Sequence, residues 1–125
     1  MTIQEAIDTI DKRKHNMTPR EQKVAWLSDL DGLIWREIFM KSEGIPEGVT
    51  FEGYDMDTPA DVDLLAPFPY TDIYRHYMAI QIDIDTRETN EYEKDQILFN
   101  SAWQTLCDYW TRKHMPKSKV TEIRF

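Results

Sequence analysis

A chain of 125 residues, 41% hydrophobic and 12% aromatic, is long enough for one domain with its own core and too apolar for disorder. Its formal charge of −8 repels a phosphate backbone, which weighs against nucleic-acid binding over the whole surface. One cysteine excludes an internal disulfide, no apolar run approaches the ~18 residues of a membrane span, and the acidic start does not read as a secretory leader. A soluble protein of a reducing cytoplasm fits these features.

The first helix is predicted over about residues 3–15. Thr2 and Glu5 stand at capping-box spacing, and Ile3, Ala6, Ile7 and Ile10 form a narrow apolar stripe that Met17 extends. A second helix is predicted over 19–41. Thr18 reads as its cap, Pro19 as its first residue and Glu21 as the reciprocal carboxylate. Projected at about 100° per residue, Val24, Leu27, Leu30, Ile34, Trp35 and Ile38 fill one face. Trp26, Leu33 and Met40 carry that face around the side. Ser28, Asp29, Gly32 and Arg36 mark the polar back. An arc this wide calls for burial on two sides, within the fold or against a neighbouring subunit.

Glycines and prolines punctuate residues 42–69, which read as a long loop. Within it, Val49–Tyr54 alternates weakly, a short-strand signal, and Asp55, Asp57, Asp61 and Asp63 make an acidic stretch. A third helix is predicted over 70–85, with Tyr70, Ile73, Tyr74, Tyr77, Ile80 and Ile84 on one face. After a polar break, Asn90 reads as the cap of a fourth helix over 91–114. Its core face is Tyr92, Leu98, Phe99, Ala102, Trp103, Leu106, Tyr109 and Trp110. So short a break implies an antiparallel pair. Residues 119–125 alternate and read as an extended arm. The expected fold is therefore mainly α: a four-helix bundle over 1–118 with a long loop between helices 2 and 3, and a C-terminal arm over 119–125.

No residue set converges on chemistry. The Asp pairs 29/31, 55/57, 61/63 and 83/85 read as solvated charge. On a helix, i and i+2 point roughly 200° apart, and the loop pairs lack the spacing of a calcium loop. The three His have no metal-ligand spacing, and His76 belongs at the edge of its helix's apolar face. Cys107, among Trp103, Leu106 and Trp110, reads as a small hydrophobe, and no phosphate-cradling glycine loop occurs. Basic clusters at 12–15 and 112–119 complement the negative ends of helices. The expectation is a chain without catalytic residues, metal or cofactor.

Several segments follow one another in a distinctive order. They are Trp26-Leu27-Ser28-Asp29-Leu30-Asp31-Gly32, Leu64-Leu65-Ala66-Pro67-Phe68-Pro69-Tyr70, Tyr74, Tyr77, Tyr92, Phe99-Asn100, Tyr109-Trp110 and His114-Met115-Pro116. This order resembles the head–tail connector (adaptor, neck) proteins of tailed bacteriophages and prophages. The resemblance covers most of the chain and rests on structural residues. It implies a small helical subunit, without catalytic residues, in a ring of about twelve copies that closes on itself. Such a ring would join the portal to the next neck, stopper or tail protein and continue the DNA channel. DNA would pass without sequence-specific binding, in the virion neck and away from any membrane, after assembly in the host cytoplasm. Candidate interface residues are Trp26, Leu33 and Met40 on the second helix, Val49, Phe51 and Tyr54 in the loop, and Val120, Ile123 and Phe125 in the arm. The arm would add as a strand to a neighbour. The competing reading is a small acidic protein-binding or regulatory module of the DNA-mimic type. Acids spread along all four helices argue mildly against it.

Overall fold

Four helices make up most of residues 1–41 and 50–113, which the computed structural model describes. They are α1 (Ile3–Arg13), α2 (Arg20–Ile34), α3 (Asp72–Thr86) and α4 (Thr89–Lys113), and a π-helical turn, Trp35–Phe39, prolongs α2. The mainly helical bundle predicted from the sequence is the fold that forms. Val49, His114 and the arm with Val120, Ile123 and Phe125 lie outside the described residues.

The capping box opens α1 as its sequence predicts. The Glu5 amide donates to Thr2 Oγ1 at 3.1 Å, and the Thr2 amide donates to the Glu5 carboxylate at 2.9 Å. Ile3, Ala6, Ile7 and Ile10 are buried, but Met17 is 89% exposed, so the stripe stops where the helix stops. The start of α2 differs by one residue from its prediction. Pro19 takes the cap position and offers its carbonyl to Gln22 and Lys23, with no side-chain cap. Thr18 is drawn back instead, its amide donating to Asn16 Oδ1 at 3.1 Å.

The predicted 19–41 helix keeps α geometry only to Ile34. In the turn that follows, the Met40 amide donates to the Trp35 carbonyl at 2.8 Å, an i to i+5 bond. The wider turn admits both Ile38 and Phe39 to the interior. Phe39 stacks on Trp110 of α4 with centroids 3.9 Å apart and meets Trp35 edge-on at 6.0 Å.

α3 and α4 run antiparallel, as the short break predicts. Tyr70 meets Tyr109 at 4.5 Å, and Tyr77 meets Phe99 at 5.7 Å. Arg87 makes the turn between them in the left-handed region, φ 59°. Its amide and that of Glu88 both reach the Asp83 carbonyl. α4 begins at Thr89, so Asn90 lies inside the helix rather than at its cap. Two residues expected on core faces point outward. Ile82 and Asp83 take the inward positions at the end of α3, which turns Ile84 to 54% exposure. Leu98 is 41% exposed on the wall of a groove described below.

The segment after residue 50 forms no strand over 50–54. It lies instead across α2 and the start of α1. The Tyr54 amide donates to Ser28 Oγ at 3.0 Å. The Ile3 and Gln4 amides donate to the Val62 and Ala60 carbonyls, both at 3.1 Å, and the Leu64 amide donates to the Met1 carbonyl at 2.8 Å. Thus the segment satisfies amides that the first turn of α1 leaves open. Leu64 and Ala66 join the core beside Leu27, Leu30, Ile34, Tyr74 and Met78. The wide apolar arc of α2 is covered on its second side by the chain's own loop.

Gly53 makes this crossing with φ +89°, and a Cβ there would sit 2.9 Å from Ser28 Oγ, the acceptor of the next amide. Replacing Gly53 with Ala should cost about 1–2 kcal/mol, from the positive φ and the displaced hydroxyl together. Urea denaturation of the variant beside the parent chain measures it, and a cost within error of zero would mean that the loop is not held by this contact.

Candidate functional site

Asp31 is a carboxylate held on every side by the protein around it. It lies on the apolar face of α2, one turn from both Leu27 and Ile34, and is fully buried. Its carboxylate accepts from the Tyr74 hydroxyl at 2.6 Å, the Tyr54 hydroxyl at 2.5 Å and the Leu65 amide at 3.0 Å. The Tyr74 hydroxyl in turn accepts from the Ala66 amide at 2.7 Å. One carboxylate therefore joins α2, α3 and both ends of the 54–66 segment. Burial raises the Asp31 pKa, while the three donors work the other way by favouring the charge. Burial and then the Asp31 charge push both tyrosine hydroxyls upward, so they stay protonated donors. The knot is a clamp, because its donors and acceptor are occupied by one another.

A second buried carboxylate, Asp83, also belongs to a pair that the sequence presents as solvated charge. Lys14, just past the end of α1, reaches across to α3 and α4. Its ammonium stands 2.8 Å from Asp83 Oδ1, 3.4 Å from Asp95 Oδ2 and 3.7 Å from Glu91. The approach is off the hydrogen-bonding direction, so neither Asp83 oxygen, nor Asp95 Oδ2, receives an aligned hydrogen bond. Burial, then the neighbouring Asp95 carboxyl, pushes the Asp83 carboxyl up to about 6 against the pull of Lys14. Burial works against the Lys14 charge, but Asp83 and Asp95 outweigh it and raise its pKa. Buried Lys23 makes a simpler pair with exposed Asp11, tying α2 to α1 at 2.5 Å.

Above this cluster opens a groove of about 410 Å³ between the end of α1, α3 and α4. Five cationic side chains line it, Lys12, Arg13, Lys14, Arg75 and Lys94, against two carboxylates, Glu91 and Asp95. His76 is half-buried on its wall, at the edge of the α3 apolar face as predicted, and burial followed by Arg75 lowers its pKa. The groove is a basic recess on an acidic protein. It suits a ligand bearing carboxylates or phosphates.

The interface candidates separate into four groups. Trp26 is 6% exposed and belongs to the core, so its ring is not available to a neighbour. Leu33 and Phe51 come together on a shallow recess of about 370 Å³ beside Gly32 and Arg36, and Tyr54 meets Phe51 edge-on at 5.1 Å. Met40 is 38% exposed after the π-helical turn. Val49, Val120, Ile123 and Phe125 lie outside the described residues. Cys107 is half-buried against the core cluster, and burial, then Asp108, raises its thiol pKa.

No family model, curated protein or solved structure matches the chain. Among the described residues, no three His, Cys, Asp or Glu side chains group to hold a metal ion, and no helix is long and apolar enough to cross a membrane.

The two buried carboxylates give separate expectations. Asp31→Ala leaves two hydroxyls and an amide without their acceptor and should cost about 3 kcal/mol or more. Tyr54→Phe, at the half-exposed edge of the knot, should cost clearly less in the same chemical denaturation. Asp83 has a folded pKa above the unfolded value of 3.8. Its contribution is thus fully present below about pH 4, falls as pH rises toward 6, and is flat above. Relative to Asp83→Asn, the parent chain should lose roughly 1–3 kcal/mol across that window. Parallel denaturation midpoints at stepped pH check this, and a constant gap between the two chains would contradict it.

Proposed function

We propose that this chain is a structural subunit of a phage head–tail connector, working in the virion neck after assembly in the host cytoplasm. On this reading the subunits form a ring that joins the portal to the next neck, stopper or tail protein. The ring continues the DNA channel without reading its sequence. The observation that supports it is a convergence in space. Asp31 comes from the 26–32 segment of the resemblance, Leu65 and Ala66 from the 64–70 segment, and Tyr74 follows. All four meet in one hydrogen-bonded knot. Four of the residues that carry the resemblance, from three of its segments, thus act as one structural unit. A satisfied, inward-facing knot fits a subunit whose task is to hold shape.

Surface side chains add to this reading. Half-buried Leu33 and Phe51 and exposed Met40 offer apolar surface beside the π-helical turn, where contact with a neighbouring protein is proposed.

Co-expression with a phage portal protein, followed by electron microscopy, tests the proposal. The expected result is a ring of density added beneath the portal. Removal of residues 119–125 should abolish that ring while leaving the helical circular dichroism unchanged. A chain that stays off the portal and remains monomeric would refute the connector role, and a truncation that unfolds would make the arm part of the core.

A further inference from the structure

The net charge of the molecule is localised. Between Lys41 and Arg75 the sequence holds eight acids and no Lys, Arg or His. The other fifteen acids are balanced by all fifteen cations, so the whole formal charge of −8 belongs to residues 42–74. In the described part of that stretch, Glu52, Asp55, Asp57, Asp61 and Asp63 are all exposed. None of them enters an ion pair among the described residues.

This acidic loop has a fixed place. Hydrogen bonds from Ile3 and Gln4 to Val62 and Ala60 hold it at the N-terminal end of α1. The basic groove lies at the other end of the same helix, lined by Lys12, Arg13 and Lys14. Eleven residues at about 1.5 Å each separate the two ends by roughly 16 Å. Lys12 and Arg13 are exposed and, like the loop acids, make no ion pair among the described residues. The groove's walls also carry exposed apolar surface, since Leu98 is 41% exposed there. Arg75 and Lys94 pair with Asp72 and Glu91, and Lys14 with Asp83, which leaves Lys12 and Arg13 as the groove's uncompensated charge. One molecule thus presents a basic recess and an acidic projection at the two ends of α1.

We propose that these two ends belong to one interface: the acidic 52–63 loop of one copy enters the Lys12–Arg13–Arg75–Lys94 groove of the next. Two different surfaces meeting head to tail make a heterologous contact, the kind that propagates and closes into rings. Complementary charge steers such copies into register and opposes the reversed pairing, which would set acid against acid. The contact names the lateral joint of the ring and rests on the connector reading above.

Light scattering of the intact chain at low ionic strength, over a concentration series, tests it. The wild type should grow beyond a dimer, and raising the salt should weaken that association roughly tenfold. Lys12→Glu with Arg13→Glu should leave it monomeric, and so should Asp57→Lys with Asp61→Lys. The four changes together restore opposite charges and should restore association. All four positions are exposed, and helical circular dichroism checks each variant. If a reversal fails to fold, the milder pairs Lys12→Ser with Arg13→Ser and Asp57→Asn with Asp61→Asn replace it. A wild type that stays monomeric, stops at a dimer, or associates indifferently to either reversal overturns the contact. Rings that still form on a portal with either reversal also overturn it while leaving the connector reading in place. Absence of any ring from the wild type fails the connector reading itself.

Discussion

A buried carboxylate governs this fold. Removing Asp31 from water costs several kcal/mol unless its charge is met, and two tyrosines and one amide meet it. That requirement sets where the rest of the chain can go. α3 must present Tyr74 to α2. The 54–66 segment must bring Tyr54 and Leu65 back to the same point, and Ala66 must follow to complete Tyr74. A stretch with no regular secondary structure is thereby tied at both ends to the helices it crosses. Hydrophobic burial supplies most of the driving force, but it is non-directional. Hydrogen bonds to a single carboxylate select one arrangement among the many that would bury the same leucines.

Much of the architecture was legible in the sequence because it is periodic. Ile3, Ile7 and Ile10, then Val24, Leu27, Leu30 and Ile34, recur at helical spacing, and each is buried. The box at Thr2 and Glu5 marked a helix start that local chemistry alone decides. Where tertiary context decides, the sequence misleads. Thr18 has the cap chemistry, but Asn16 draws back its amide and Pro19 takes the position. The π-helical turn answers to Trp110, more than seventy residues away along the chain, and no local pattern announces it.

The site residues were harder to read for a related reason. Asp31 and Asp83 look like ordinary helix acids when scored by type, and only their register exposes them. Asp31 falls at the centre of a face built from Leu27, Leu30 and Ile34, where a charge is tenable only with donors to match. The donors were visible too, since Tyr74 on a core face needs a partner for its hydroxyl. The apolar arc of α2 was correctly measured, but the loop covers it. Trp26, offered to a neighbour by the sequence, is held inside. Lys14 reads as a helix-end cation and instead crosses to Asp83 and Asp95, a pairing that appears only once three helices converge.

α4 stands apart from the other helices in how it is held. Among its twenty-five residues only Asp95 and Leu106 are buried. Its remaining grip comes from rings that lie along an edge, Phe99 beside Tyr77, Tyr109 beside Tyr70 and Trp110 over Phe39, and from Lys14, which reaches Glu91 and Asp95. These contacts are spread from its first turn to its last. A helix so half-wetted is still fastened along its whole length, and it cannot lift without undoing contacts to α1, α3 and the π-helical turn at once.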